Sequence, residues 1–288
     1  MNFKTLIIRT LSGIVYIALI VFAIMWNEYA FAVIFGLLAV FTTYEFHKLT
    51  NKQENVNTSA WLATLTSAVI FISVTCMDIF VFAQNMLFML YFALIFAFFI
   101  IEIFRKNPNP MHNIAYFLLG QIYIALPFFI VTVIYFNFKQ FLFALFVIIW
   151  TNDVFAYLVG TKFGKHRLCE RISPHKSWEG VFGGLVGALI ASFVLYKLFY
   201  QPAECVFSPL SMNILGWFIF ALIIVIFGTL GDLFESLIKR TVGVKDSGSI
   251  MPGHGGFLDR LDSVLFAAPA ALIFLMALKI GECLIKDR

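Results

Sequence analysis

The sequence predicts an all-α fold, a polytopic transmembrane helix bundle of about nine spans, and three observations predict it. Hydrophobic residues make up 61% of the 288 positions and charged residues only 12%. A soluble domain carries about 25% charged residues, because its outside must face water. Mean hydropathy is +0.94, so a surface this apolar needs lipid around it. The apolar residues also collect in runs of about 20, the length a helix needs to cross the hydrocarbon.

The runs are roughly 10–26, 29–46, 59–77, 79–103, 114–136, 140–160, 178–200, 212–235 and 263–283. Apolar residues extend round every face of them, unlike the one-sided helices of a soluble surface. The first run follows Lys4 and Arg9 and so resembles a signal peptide. No small-residue cleavage site follows it, and eight further spans favour a retained anchor. Between the third and fourth runs little beyond Asp78 interrupts the pattern. Pro127 predicts a kink in the fifth, since proline cannot donate the helical hydrogen bond. Ser177 predicts a cap for the seventh, with Glu179 favourable in its first turn. Gly180, Gly183, Gly184 and Gly187 predict close packing on a neighbouring helix. Glu45 and Glu102, at span ends, read as interfacial.

Nine spans put the termini on opposite sides, and basic residues choose the orientation. With the N-terminus inside, fifteen of the twenty Lys and Arg side chains fall on the cytoplasmic side. Two inner segments are large, 161–177 and 236–262. The expected division is an N-terminal transmembrane bundle, 1–137, and a C-terminal region, 138–288, that holds both loops and the chemistry. Cys76, Cys169, Cys205 and Cys283 are scattered, with neither a disulfide framework nor zinc-site spacing. The net charge of +4 is mild, and no nucleic-acid partner is expected.

Charge is concentrated near the C-terminus. Nine of the 36 charged side chains lie between Asp232 and Asp262. Asp232, Ser236, Lys239 and Arg240 follow i, i+4, i+7, i+8, one face of a helix. An acid, a hydroxyl and two cations on one stripe can hold a metal ion beside phosphate oxygens. Gly253, Gly255 and Gly256 surround His254, and exposed backbone N–H groups in such a loop can cradle phosphates. Asp259 and Asp262 follow three residues apart. Carboxylates near phosphates suit Mg²⁺, which takes one or two of them and completes its shell with substrate oxygens and water. Asp153 stands inside the sixth span, where insertion costs at least ~2.5 kcal/mol, so it reads as functional and facing the bundle interior. In the other inner loop, Ser173–Glu179 leads into a helix start whose free N–H groups could dock an anion. Its remaining Lys and Arg suit an anionic leaflet equally well.

These residues resemble one family closely, the phosphatidate cytidylyltransferases, or CDP-diacylglycerol synthases. The stretch SLIKRTVGVKDSGSIMPGHGGFLDRLD, Ser236 to Asp262, fills each position of that family's signature. The D-x-x-A-Y-x-x-G of Asp153–Gly160 and the S-P-x-K-S-W-E-G of Ser173–Gly180 look like the family too. His175 departs from it, where members often carry a second lysine. The resemblance covers the C-terminal half and implies that CTP and phosphatidic acid give CDP-diacylglycerol and pyrophosphate with Mg²⁺. It points to Asp232 and Asp259 as metal carboxylates, with Asp246 and Asp262 as further ligands or helpers. Asp153 would be another ligand or would orient Lys176. Lys239, Arg240, Lys245 and Arg260 would meet the phosphates. Ser173, Lys176, Ser236, Gly253, Gly255 and Gly256 would bind substrate, and His254 could give a proton to pyrophosphate.

Two rivals fit less well. A CDP-alcohol phosphotransferase would need a D-x-x-D-G run, and none occurs. A transporter for anions would often show two related halves, whereas here the polar residues crowd toward one end. The expected setting is a bacterial cell membrane, with the site facing the cytoplasm and a homodimer compatible with the glycine-rich helix faces.

Overall fold

The computed structural model describes residues 3–76, 81–199, 212–248 and 255–286. Contacts divide the chain into two compact units, Met1–Thr132 with Leu237–Leu261, and Val133–Ser236 with Asp262–Arg288. The helices are α1 (Phe3–Met25), α2 (Glu28–Thr50), α3 (Ala60–Thr75), α4 (Val81–Phe104), α5 (Pro110–Gly120), α6 (Leu126–Phe163), α7 (Trp178–Phe199), α8 (Ile214–Thr241) and α9 (Leu258–Lys286). A π-helical turn, Gln121–Ala125, joins α5 to α6, and one small hairpin, β1 (Arg167–Cys169) with β2 (Ser173–Ser177), precedes α7. Among the described residues, six helical runs are long and apolar enough to cross a membrane: Glu28–Thr50, Phe82–Phe104, Pro110–Phe163, Trp178–Phe199, Ile214–Thr241 and Leu258–Gly281. The apolar stretches Thr10–Met25 and Ala60–Thr75 are shorter.

In the first unit α2 and α3 begin where side chains cap them. Asn27 accepts from Ala30 N at 2.8 Å to start α2, satisfying one of the orphan N–H groups of a helix end. Across α2 and α3, Thr43 Oγ donates to Ser67 Oγ at 2.9 Å. Phe98 of α4 stacks on Phe117 of α5 with centroids 4.0 Å apart, over buried Ala63 of α3. The opposite face of α4 exposes Phe82, Met89, Phe96 and Ile103, spaced by sevens. That stripe needs apolar surroundings, which a bilayer supplies. Glu102 is buried rather than interfacial. It accepts from Asn107 and Asn113 at 2.9 Å each and from Arg105 at 3.3 Å, tying the end of α4 to the start of α5. The distortion expected from Pro127 takes the form of the π turn just before it, where the helix widens instead of leaving a carbonyl against the ring.

The run Pro110–Phe163 holds 54 residues, far more than the roughly 20 of one crossing. It is interrupted at Phe138 (φ −144°, ψ 46°), where the sequence predicts the junction of two spans. In the second unit, the glycines of α7 lie against α6: a Cβ at Gly183 would strike Val159, and one at Gly187 would strike Phe155. The predicted close packing is therefore present. Ser192 Oγ on α7 also donates to Trp217 O on α8 at 2.7 Å. Ser177 accepts from Gly180 N at 3.1 Å, the predicted cap of α7. The hairpin, where the sequence predicts only loop, pairs Arg167 with Ser177 and Cys169 with Ser173. Glu179 fixes its base, accepting from Lys165 N at 3.1 Å and lying 2.6 Å from His166 Nδ1.

Candidate active site

The second unit encloses a cavity of about 680 Å³, within the range of small-molecule sites. Asn152, Asp153, Tyr157 and Gly160 of α6 line one side, and Ser173, His175 and Lys176 of β2 another. Asp232 of α8 and Ser263 of α9 complete it. The hairpin explains the position of Lys176: β2 ends at the cap of α7, which delivers the lysine to an ion pair with Asp232. Asn152 Nδ2 donates to Asp153 Oδ1 at 3.3 Å.

Beside Asp232 stand Glu235, one turn further along α8, and Asp262 of α9. Carboxylate oxygens from the three lie within 4.8 Å of one another. Gly231 makes that approach possible, because a Cβ there would collide with the backbone carbonyl of Asp262. Two carboxylates at such a separation repel by about 3–4 kcal/mol at an effective dielectric of 20. Cations must offset this, and Lys176 supplies one. Three converging hard oxygen donors can hold a metal ion.

The first unit holds a different acid cluster. Asp259, in the first turn of α9, accepts from Lys239 Nζ at 2.7 Å, Ser247 N at 3.1 Å and Gly256 N at 2.8 Å, with Ser247 Oγ 2.9 Å away. Glu45 of α2 is buried beside it and accepts from Ser247 Oγ and from Phe257 N. Gly255 has φ +85°, and the Asp259 carboxylate occupies the space a Cβ would take. Only glycine meets both conditions without strain.

The predicted residues thus fall into groups. Asp232 and Asp262 come together, and Asp153, Ser173 and Lys176 line the same cavity as Asp232. Asp259 and Lys239 pair with each other in the first unit. Arg240, Lys245, Asp246 and Arg260 are exposed there, and Ser236 is half-buried on α8. Gly253 and His254 lie outside the described residues. Sequence reasoning missed Glu235, although its i+3 spacing from Asp232 in GDLFES was visible. It also missed Ser247 and the burial of Glu45, whose partners lie more than 200 residues away in the chain.

Six helical runs of membrane-crossing length among the described residues, with Asp153 and Asp232 lining a cavity in the second unit, mark a multi-pass membrane protein. The chain belongs to the cytidylyltransferase family, whose sequence pattern matches residues 7–278. It is 48% identical over 127 residues to the phosphatidate cytidylyltransferase of Thermotoga maritima, covering 43% of this chain and 44% of that protein. It is 44% identical over 124 residues to that of Haemophilus influenzae, covering 43% and 41%. It is 40% identical over 177 residues to that of Bacillus subtilis, covering 60% and 62%. The matched stretch is less than two thirds of each of these relatives.

Proposed function

We propose that this chain transfers a cytidylyl group from CTP to phosphatidic acid, forming CDP-diacylglycerol and releasing pyrophosphate. The observation that carries this reading is the Asp232–Glu235–Asp262 cluster beside Lys176 and a cavity, in a chain whose relatives bear that enzyme's name. Asp232, Glu235 and Asp262 would hold Mg²⁺, with Asp153 nearby. Bound there, the ion supplies positive charge against two polyanionic substrates. The resemblance makes Asp259 a metal carboxylate; because it accepts from Lys239 Nζ, Ser247 N and Gly256 N, we propose instead that it fixes the turn at Gly255–Gly256.

A phosphatidate oxygen is already ionised at neutral pH, so it attacks the α-phosphorus of CTP without a strong general base. The bond from that phosphorus to the bridging oxygen breaks, and pyrophosphate leaves. The side chains then have to position and neutralise, as in phosphoryl transfer generally. Lys176 and Ser173 bind a phosphate in the cavity. The phosphate contacts of Arg240, Lys245 and Arg260, and the ligand role of Asp246, rest on the sequence resemblance. The roles of Gly253 and His254 rest on the sequence resemblance alone.

We further assign nine crossings. The interruption at Phe138 divides the 54-residue run in two, and the shorter helices ending at Met25 and Thr75 each cross as well. The excess of basic residues on one set of loops turns the site toward the cytoplasm, in the cell membrane. Reconstitution in vesicles tests the reaction: labelled CTP, phosphatidic acid and Mg²⁺ yield pyrophosphate and a lipid-linked cytidine. Vesicles that bind CTP yet form no such lipid would refute it.

A further inference from the structure

Glu45 is an acid inside the membrane-length run Glu28–Thr50, only 3% exposed. A buried carboxylate in such a helix is costly unless its oxygens are matched by donors. Here both are matched from a single distant segment. Oε1 accepts from Ser247 Oγ and Oε2 from Phe257 N at 2.9 Å. Ser247 links the two acids, since its backbone N donates to Asp259 Oδ2 at 3.1 Å and its Oγ lies 2.9 Å from the same oxygen.

Two glycines complete the fit. A Cβ on Gly248 would lie 2.8 Å from Glu45 Cδ, and one on Gly256 would fall on the Glu45 carboxylate itself. One turn earlier on α2, Phe41 stacks on Phe257 with centroids 5.6 Å apart. Helix α2 therefore holds Ser247 and Gly248 on one side, and Gly256 and Phe257 on the other, the described ends of this glycine stretch.

We propose that Glu45 is a positioning residue for this glycine stretch, fixing the Gly256 and Phe257 backbone and Asp259 through Ser247 without touching substrate. The second glycine of Gly255–Gly256 is then required by Glu45 and its partner Ser247 together, because a side chain there would collide with the Glu45 carboxylate and the Ser247 hydroxyl. The inference rests on the cytidylyltransferase reading only in linking the stretch to CTP.

Glu45→Ala should raise the KM for CTP at least about tenfold, the worth of one hydrogen bond to a charged group, and leave the KM for phosphatidic acid unchanged. Amide exchange at Gly256 and Phe257 should quicken by a similar factor while α7 keeps its protection. Glu45→Gln retains an acceptor for Phe257 N and should restore most of both. If Glu45→Ala does not fold, Glu45→Asp, which withdraws the charge by one methylene, should give the same pattern at smaller amplitude. Gly256→Ala should cost less when combined with Glu45→Ala than in the native chain, a non-additivity expected only of residues in contact. Unchanged exchange at Phe257, a CTP KM that stays put while the stretch loosens, or strictly additive Gly256 and Glu45 effects overturns the proposal. Absence of any cytidylyl transfer by the native chain would sink the reaction and leave the exchange result standing.

Discussion

Each unit of the molecule gathers acids, and the two gatherings are compensated in different ways. Around Asp259, protein donors converge on the carboxylate: an ammonium and two backbone N–H groups. Glu45 beside it is matched by the same segment. In the second unit, Asp232, Glu235 and Asp262 crowd within 4.8 Å, with Lys176 paired to Asp232. We read an acid supplied with donors by its own chain as a clamp. The three acids of the second unit gather negative charge that a cation could offset, and Asp232 among them lines the cavity. Acid content alone does not separate a clamp from a metal site; the donors around it do.

The sharpest way to break this comparison is to neutralise one member of each cluster. Asp262→Asn or Asp232→Asn should lower cytidylyl transfer by on the order of a thousandfold, since charge stabilisation at the reacting centre is lost. Raising Mg²⁺ should recover part of the rate. Asp259→Asn should cost about a hundredfold through misplacement of the glycine stretch, leave membrane insertion intact, and gain nothing from added Mg²⁺. Equal rescue of both by Mg²⁺ would erase the distinction. Lys176→Met removes a competitor for Asp232. It should lower the Mg²⁺ concentration for half-maximal rate about three- to fivefold, the scale of a partly exposed ion pair, while the maximal rate falls. The smallest effect on turnover belongs to Glu102→Gln. It weakens the α4–α5 clasp by about 1–3 kcal/mol, visible as a lower Tm with the rate unchanged.

The helices were legible because each apolar run announces itself over some 20 positions, and a bilayer leaves the backbone little choice but to be helical. The junction near Phe138 was legible from the break in hydrophobicity between the fifth and sixth runs. The β1–β2 hairpin was not. Its strands are three and five residues long, one of them SPHKS, too short and too polar for any alternating pattern. Asp232, Asp262, Asp153 and Lys176 stood out as charges where charge is costly. Glu235 stood one turn from Asp232 but passed as an ordinary acid near a helix end. Glu45 was hidden for another reason: an acid at a span end is usually solvated, and only a fold that brings Ser247 and Phe257 to α2 shows otherwise. Partners that distant in the chain leave no local signal.

Binding of Mn²⁺ as a Mg²⁺ surrogate, followed by electron paramagnetic resonance on the reconstituted chain, tests the central claim most directly. The tight site should be present in the native protein, lost in Asp262→Asn and retained in Asp259→Asn. Loss in Asp259→Asn with retention in Asp262→Asn would contradict the assignment of the clamp and the cation site to these two clusters.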